Sequence, residues 1–334
     1  MPTRLRPHRA PAADADPHNP DIPLRSVPYI RLQPVHAAAN ITRMPAFAAF
    51  DGTELAYRVH GDGAPLICLP GGPMRASAYL GDLGGLSARR RLILLDLRGT
   101  GGSAIPADPS SYRCDRLADD VLALQDHLGL AGADVLGHSA GANIALQYAL
   151  GHPDRVSRLL LITPSGRAVG LEPDAAMRRE IVELRRAEPW YAGAAAAYER
   201  ITSGRETAAD WAAMAPFFSG RWDAAAQALD AAGREQTNED AAAAFGAEGA
   251  FDPAAARAGA AVLGSPVLVV GGDVDLQRPP AVTAEFAALF GHASLVVQPG
   301  AGHFPWLDDP DRFAAAVTEF LSAAVPPETD GHAR

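Results

Sequence analysis

The residues best arranged for chemistry are a serine set between small neighbours, Gly137-His138-Ser139-Ala140-Gly141. The apolar run Ala133 to Gly137 precedes it, and a helical pattern opens at Ala140. A serine on so tight a strand-to-helix turn is held in strained backbone angles, and flanking glycines let other chain come close without a Cβ clash. Its hydroxyl then points into a cleft beside the positive end of a helix. A serine hydroxyl is a poor nucleophile at neutral pH. The chemistry therefore demands a base in contact with it, and a carboxylate that holds the base in the right tautomer.

His303 is the expected base. It lies in Gly300-Ala301-Gly302-His303-Phe304-Pro305, just after the last strand-like run, and loops at the carboxyl ends of parallel strands gather at one edge of a sheet. The other histidines are poorer candidates. His8, His18, His36 and His332 lie near the termini, His127 and His152 near helix ends, and His292 precedes its strand. His60 reads as a turn residue after an early strand, and His138 adjoins Ser139, where successive side chains point apart. The carboxylate should follow the run Pro266 to Gly271, where Gly272-Asp273-Val274-Asp275 offers two choices. Asp275, further into the loop with Pro279 after it, is preferred; Asp273 at the strand end is the alternative, and one of the pair serves as a turn residue. An oxyanion would need preorganised backbone donors. The N–H of Gly72, in Leu69-Pro70-Gly71-Gly72-Pro73, and that of Ala140 are the expected pair.

Such a set requires a sheet to position it. Strand-like runs are Leu55 to Val59, Pro65 to Leu69, Leu92 to Asp96, Ala133 to Gly137, Leu159 to Thr163, Pro266 to Gly271 and Ser294 to Gln298. Several are nearly continuous apolar stretches, as strands covered on both faces should be. Cys114 to Leu128, Ala140 to Leu150 and Arg312 to Leu321 carry apolar residues at helical spacing. This alternation predicts an α/β fold with a mostly parallel sheet flanked by helices. Between Ser165 and Leu263 the alternation stops and only helical patterning remains, which predicts an inserted helical cap. Trp190, Trp211 and Trp222 fall there, with Tyr191, Tyr198, Phe217, Phe218, Phe245 and Phe251, either packing the cap onto the core or lining an apolar pocket beneath it. The expected organisation is a flexible Pro-rich extension over 1–43, a core over 44–164 and 264–325, a cap over 165–263, and a flexible tail over 326–334. Met44 offers an alternative start of the product.

Composition narrows the partners. A formal net charge of -10 and no apolar run of membrane-spanning length speak against nucleic acid and membrane, and favour a small, weakly charged molecule. The two cysteines, Cys68 and Cys114, make neither a disulfide framework nor a zinc pattern, so no metal or other cofactor is expected. With no apolar secretory segment at the N-terminus, they place the expected location in the cytoplasm. A dinucleotide site at Gly99 to Ser103 is disfavoured, because the G-x-G-x-x-G spacing and a following helix are missing.

The residues now described resemble the α/β-hydrolase superfamily from about Met44 to Leu321, in the order nucleophile, acid, histidine at 139, 275 and 303. Pro70-Gly71-Gly72-Pro73 and Asp96-Leu97-Arg98-Gly99-Thr100-Gly101-Gly102-Ser103 resemble the H-G-G-P-G and D-x-R-G-x-G-x-S segments of proline iminopeptidase-like enzymes. Pro70 stands in place of that family's histidine, Met74 in place of its last glycine, and His138 and Ala140 where its elbow carries glycine and tryptophan. The resemblance implies a cofactor-free serine hydrolase cleaving an ester, amide or short peptide through an acyl-enzyme on Ser139. Asp96 and Arg98 would brace loops beside the site. Cap carboxylates at Glu235, Glu239 or Asp240 would meet a substrate amine or simply form a solvated acidic face. An acyltransferase, thioesterase or cyclising enzyme would use the same residues with a different second acceptor, and a ligand-binding protein on the same fold would not use them at all.

Overall fold

Successive side chains of a strand face opposite sides of a sheet, and the central strands of this chain supply apolar groups to both. Ile67, Leu69, Val135, Leu159, Leu161, Val267 and Val269 face one layer, and Leu66, Cys68, Leu136, Leu160, Ile162, Leu268 and Val270 the other. The computed structural model describes residues 44–323. The expected N-terminal extension and C-terminal tail lie outside the described residues, as do His8, His18, His36 and His332.

Eight strands form the sheet: β1 (Ala46–Ala48), β2 (Glu54–His60), β3 (Pro65–Leu69), β4 (Arg91–Leu95), β5 (Ala133–His138), β6 (Val156–Ile162), β7 (Val267–Gly272) and β8 (Ala293–Gln298). Their spatial order is β1-β2-β4-β3-β5-β6-β7-β8. The pairs β1–β2 and β2–β4 are antiparallel, and every pair from β4 through β8 is parallel. Each expected strand is present within a few residues of its expected limits, β1 is an addition at the edge, and His60 ends β2 rather than lying in a turn. The edge strand β8 departs from the buried pattern, with Leu295 exposed.

One face carries α1 (Cys114–His127) and α2 (Gly141–Gly151), whose Leu117, Val121, Leu124, Ile144 and Tyr148 are fully buried against the sheet. After β6 come six helices and no strand: α3 (Ala175–Leu184), α4 (Tyr191–Thr202), α5 (Ala208–Met214), α6 (Ala224–Gln236), α7 (Glu239–Phe245) and α8 (Pro253–Val262). Then α9 (Pro280–Ala287) follows β7, and α10 (Pro305–Asp308) and α11 (Pro310–Ser322) follow β8. Phe313, Val317 and Leu321 lie on one stripe of α11 and cover the second face with Trp306. Burial of each is worth roughly 1.5–3 kcal/mol.

Helices α3 to α5 and the turn after α5 have a small core of their own, made by Ile181, Val182, Ala197, Tyr198, Met214 and Phe217, and it includes Leu276 from the loop after β7. Among the described residues no helix is long and apolar enough to cross a membrane. Cys68 and Cys114 are buried free thiols, and burial pushes both well above the ordinary thiol range.

Candidate active site

The sheet order dictates which loops meet. β3 lies beside β5, and β7 beside β8, so the segments leaving their carboxyl ends share one rim. At the end of β5 the chain turns so sharply into α2 that Ser139 has φ of 52°, a left-handed conformation unusual for a residue with a side chain. The close approach also explains the two glycines. A Cβ on Gly137 would stand 2.5 Å from the carbonyl oxygen of Gly141, and one on Gly141 would stand 2.4 Å from that of Leu69. The turn is held by Ser139 N–H donating to the Ile162 carbonyl (2.9 Å) and by Ser165 N–H donating to the Ser139 carbonyl (3.0 Å).

Ser139 Oγ lies 2.9 Å from His303 Nε2, and His303 Nδ1 lies 2.8 Å from Asp275 Oδ2. A carboxylate can only accept, so Nδ1 carries the proton and Nε2 is left as the acceptor for the serine hydroxyl. The other carboxylate oxygen of Asp275 accepts from the N–H of Gln277 (2.8 Å) and of Arg278 (3.1 Å), which fixes the group although it is fully buried. Asp273 takes no part in this line: its Oδ1 accepts from Gly300 N–H at 2.7 Å, as a turn residue would. Among the described residues the backbone N–H groups of Gly72 and Ala140 donate to no protein acceptor, and both residues border the space beside Ser139.

His138 sits under this line. Its Nε2 is 3.0 Å from the His303 carbonyl and its Nδ1 2.6 Å from Tyr79 Oη, while Tyr79 Oη also accepts from Gly71 N–H at 2.7 Å. Since a carbonyl cannot donate, Nε2 of His138 holds the proton and Nδ1 accepts from the tyrosine. Burial, together with the neighbouring His303 ring, holds His138 well below the usual histidine range, so it is neutral. A chain of hydrogen bonds thus ties the loop after β3 to the loop after β8. No local sequence pattern marks either His138 or Tyr79 for this role, because it depends on contacts between distant segments.

Two cavities meet at Ser139. The larger, of ≈ 550 Å³, is bordered by Ala140, Tyr198, Trp211, Met214, Phe245 and Leu276. The smaller, of ≈ 190 Å³, is bordered by His303, Phe304, Tyr79, Arg75, Trp222 and Asp230. Gly72, Phe218 and Gln277 lie between them. The aromatics of the helical stretch divide accordingly. Trp190 and Tyr191 pack on Phe217, Phe251 packs on Phe245, and Tyr198, Trp211, Phe218 and Trp222 border the cavities. This stretch is bonded to the rim, with His303 N–H donating to the Phe218 carbonyl (2.8 Å) and Ala76 N–H to that of Gln236 (2.8 Å).

Glu235, Glu239 and Asp240 are exposed and border neither cavity. Asp96 accepts from Ser77 N–H, Ser77 Oγ and Gly102 N–H, and Arg98 pairs with Asp120 and Asp51, so both brace loops away from the serine. No three His, Cys, Asp or Glu side chains among the described residues gather as a metal site would require.

Residues 64–310 match the model of a family described as alpha/beta hydrolase fold. Among curated relatives, the carbamate hydrolase candidate RutD of Caulobacter segnis is 36% identical over 112 residues, 32% of this chain and 42% of that protein. A proline iminopeptidase of Heyndrickxia coagulans is 34% identical over 105 residues, 31% of this chain and 36% of that one. The chain thus spans less than half the length of these relatives. Among solved structures, the esterase RhEst1 from Rhodococcus sp. ECU1013 is similar with a TM-score of 0.64 at 26% identity, covering 84% of this chain and 99% of that one.

Proposed function

From the membership of this chain in the alpha/beta hydrolase fold family, we propose that it is a serine hydrolase that cleaves a small, partly apolar carboxylic ester through an acyl-enzyme on Ser139. The observation that carries this reading is the unbroken line from Ser139 Oγ through His303 to Asp275, at 2.9 and 2.8 Å, with two free N–H donors beside it.

The steps follow from those contacts. His303 Nε2 takes the proton of Ser139 as Oγ attacks the ester carbon, and Asp275 stabilises the imidazolium that forms. The carbonyl oxygen becomes an oxyanion and accepts from Gly72 and Ala140 N–H; a donor of this kind is worth about 3–4 kcal/mol in the transition state. When the bond to the leaving oxygen breaks, His303 returns the proton to it. Water, deprotonated by the same Nε2, then releases the acid and restores Ser139.

The leaving group must sit where His303 can reach it, which assigns it to the smaller cavity, and the acyl part to the larger one among Tyr198, Trp211 and Met214. An ester is favoured over an aminoacyl amide because Glu235, Glu239 and Asp240 stand away from both cavities, and the carboxylates that do border them already face arginines, Glu172 paired with Arg278 and Asp230 beside Arg75. The likeness to an esterase supports the same class.

Labelling with a fluorophosphonate probe tests the reading. The wild type should gain one adduct, located at Ser139 by peptide mass, and Ser139→Ala should gain none. Labelling elsewhere, or ester turnover surviving in Ser139→Ala, would defeat it.

A further inference from the structure

The smaller cavity contains a charge that no ion pair neutralises. Arg75, in the loop after β3, is only 8% exposed. Its Nε donates to Gln236 Oε1 (2.9 Å), its Nη2 donates to the Leu229 carbonyl (2.7 Å), and its guanidinium lies 4.6 Å from the centroid of the Tyr79 ring. All three partners are uncharged. Among the described residues no Asp or Glu forms an ion pair with it, and Nη1 donates to nothing. That nitrogen is not sealed in protein, and Arg75 borders the cavity.

The neighbouring helix keeps it open. A Cβ on Gly233 would stand 3.5 Å from Nη1, and Gly233 borders the same cavity. Glycine is a poor helix former, and at this position in α6 its missing side chain leaves Nη1 uncovered, since a Cβ would sit in ordinary contact with it. Asp230, exposed at the cavity edge, acts on Arg75 only through space. Burying a guanidinium without a contacting anion is unfavourable, and its uncommitted Nη1 can donate a charge-assisted hydrogen bond to a carboxylate.

We infer that the smaller cavity is an anion subsite, in which Nη1 of Arg75 binds a carboxylate carried by the leaving group, so that the preferred substrates are esters of short hydroxy acids. The inference rests on the reading of Ser139 as nucleophile and His303 as the group that protonates the leaving oxygen. It places that oxygen and its carboxylate on the His303 side, in a space of ≈ 190 Å³ suited to a few carbons. In the reaction the bond from the acyl carbon to the hydroxy-acid oxygen breaks, the proton from Ser139 reaches that oxygen through His303, and water later takes its place.

The test uses the purified full chain and three esters: 3-(butanoyloxy)propanoate, its neutral form with the carboxylate capped as a methyl ester, and an isomer with the carboxylate on the acyl part. The wild type should favour the first over the second by about tenfold or more in kcat/KM, the scale of one charge-assisted hydrogen bond. The ratio should collapse toward unity in Arg75→Met, fall in Gly233→Leu, which covers Nη1, and rise in Asp230→Asn. A wild-type ratio near one, a ratio unmoved in Arg75→Met, or a preference for the acyl-side carboxylate would overturn the inference; the wild-type comparison needs no substitution to fold. Failure on every ester together with absent fluorophosphonate labelling would instead defeat the reading of Ser139. In that event, calorimetric titration of the wild type and Arg75→Met with free 3-hydroxypropanoate still tests the subsite, which requires binding to the wild type alone.

Discussion

The ring of His138 lies 5.0 Å from that of His303, centroid to centroid, and its Nε2–H donates to the His303 backbone carbonyl. The residue before the candidate nucleophile therefore holds the backbone of the candidate base, and Thr163 Oγ1 donates to the same carbonyl at 3.0 Å.

Because burial depresses His138, the unfolded chain binds a proton there that the folded chain refuses. Stability from this group is complete above the ordinary value of 6.5 and is lost as pH falls below it. Thermal unfolding of the wild type should show this loss, at up to about 1.4 kcal/mol per pH unit for one proton. His138→Gln should flatten the slope below that pH, and an unchanged slope would remove His138 as its source.

Ser139 pays for its position with a left-handed backbone, φ 52°. Ser139→Ala should abolish turnover while leaving the melting temperature close to that of the wild type, since the strain stays. Ser139→Gly should be more stable than Ser139→Ala by about 1 kcal/mol, because glycine adopts that conformation freely. Denaturant titration of the two variants reads the difference.

Asp273 and Asp275 are separated by one residue and differ in what they touch, so they should differ in consequence. Asp275→Asn should lower kcat by about 10⁴, through the wrong tautomer of His303. Asp273→Asn, which weakens only a bond to Gly300 N–H, should change kcat by less than about tenfold, within the range of one neutral hydrogen bond. Steady-state kinetics in the opposite order would reassign the acid.

Arg98 and Asp120 are both fully buried and paired with each other, with Asp51 as a second partner for Arg98. Arg98→Met strands the Asp120 carboxylate and should cost about 3–5 kcal/mol in denaturant unfolding. Fluorophosphonate labelling of the folded fraction should persist, since Arg98 does not touch the serine.

Two of the repeated patterns are local, and the sequence alone therefore determined them. Nearly continuous apolar runs such as Pro65 to Leu69 and Ala133 to Gly137 announce parallel strands buried on both faces, and the spacing of Leu117, Val121 and Leu124 announces a helix. They specify the α/β fold and the rim from which Ser139 and His303 emerge. Tertiary structure decided between chemically equal neighbours. Asp273 and Asp275 sit in one short loop, and only the path of the β8 loop brings Gly300 to one and His303 to the other. It also buried Arg75 and Tyr79 against α6 and the His138 ring, residues distant in sequence whose contacts depend on where a whole helix lies. Periodicity records which way a side chain faces within its own element; charge left unpaired in a cavity is a property of the elements packed around it.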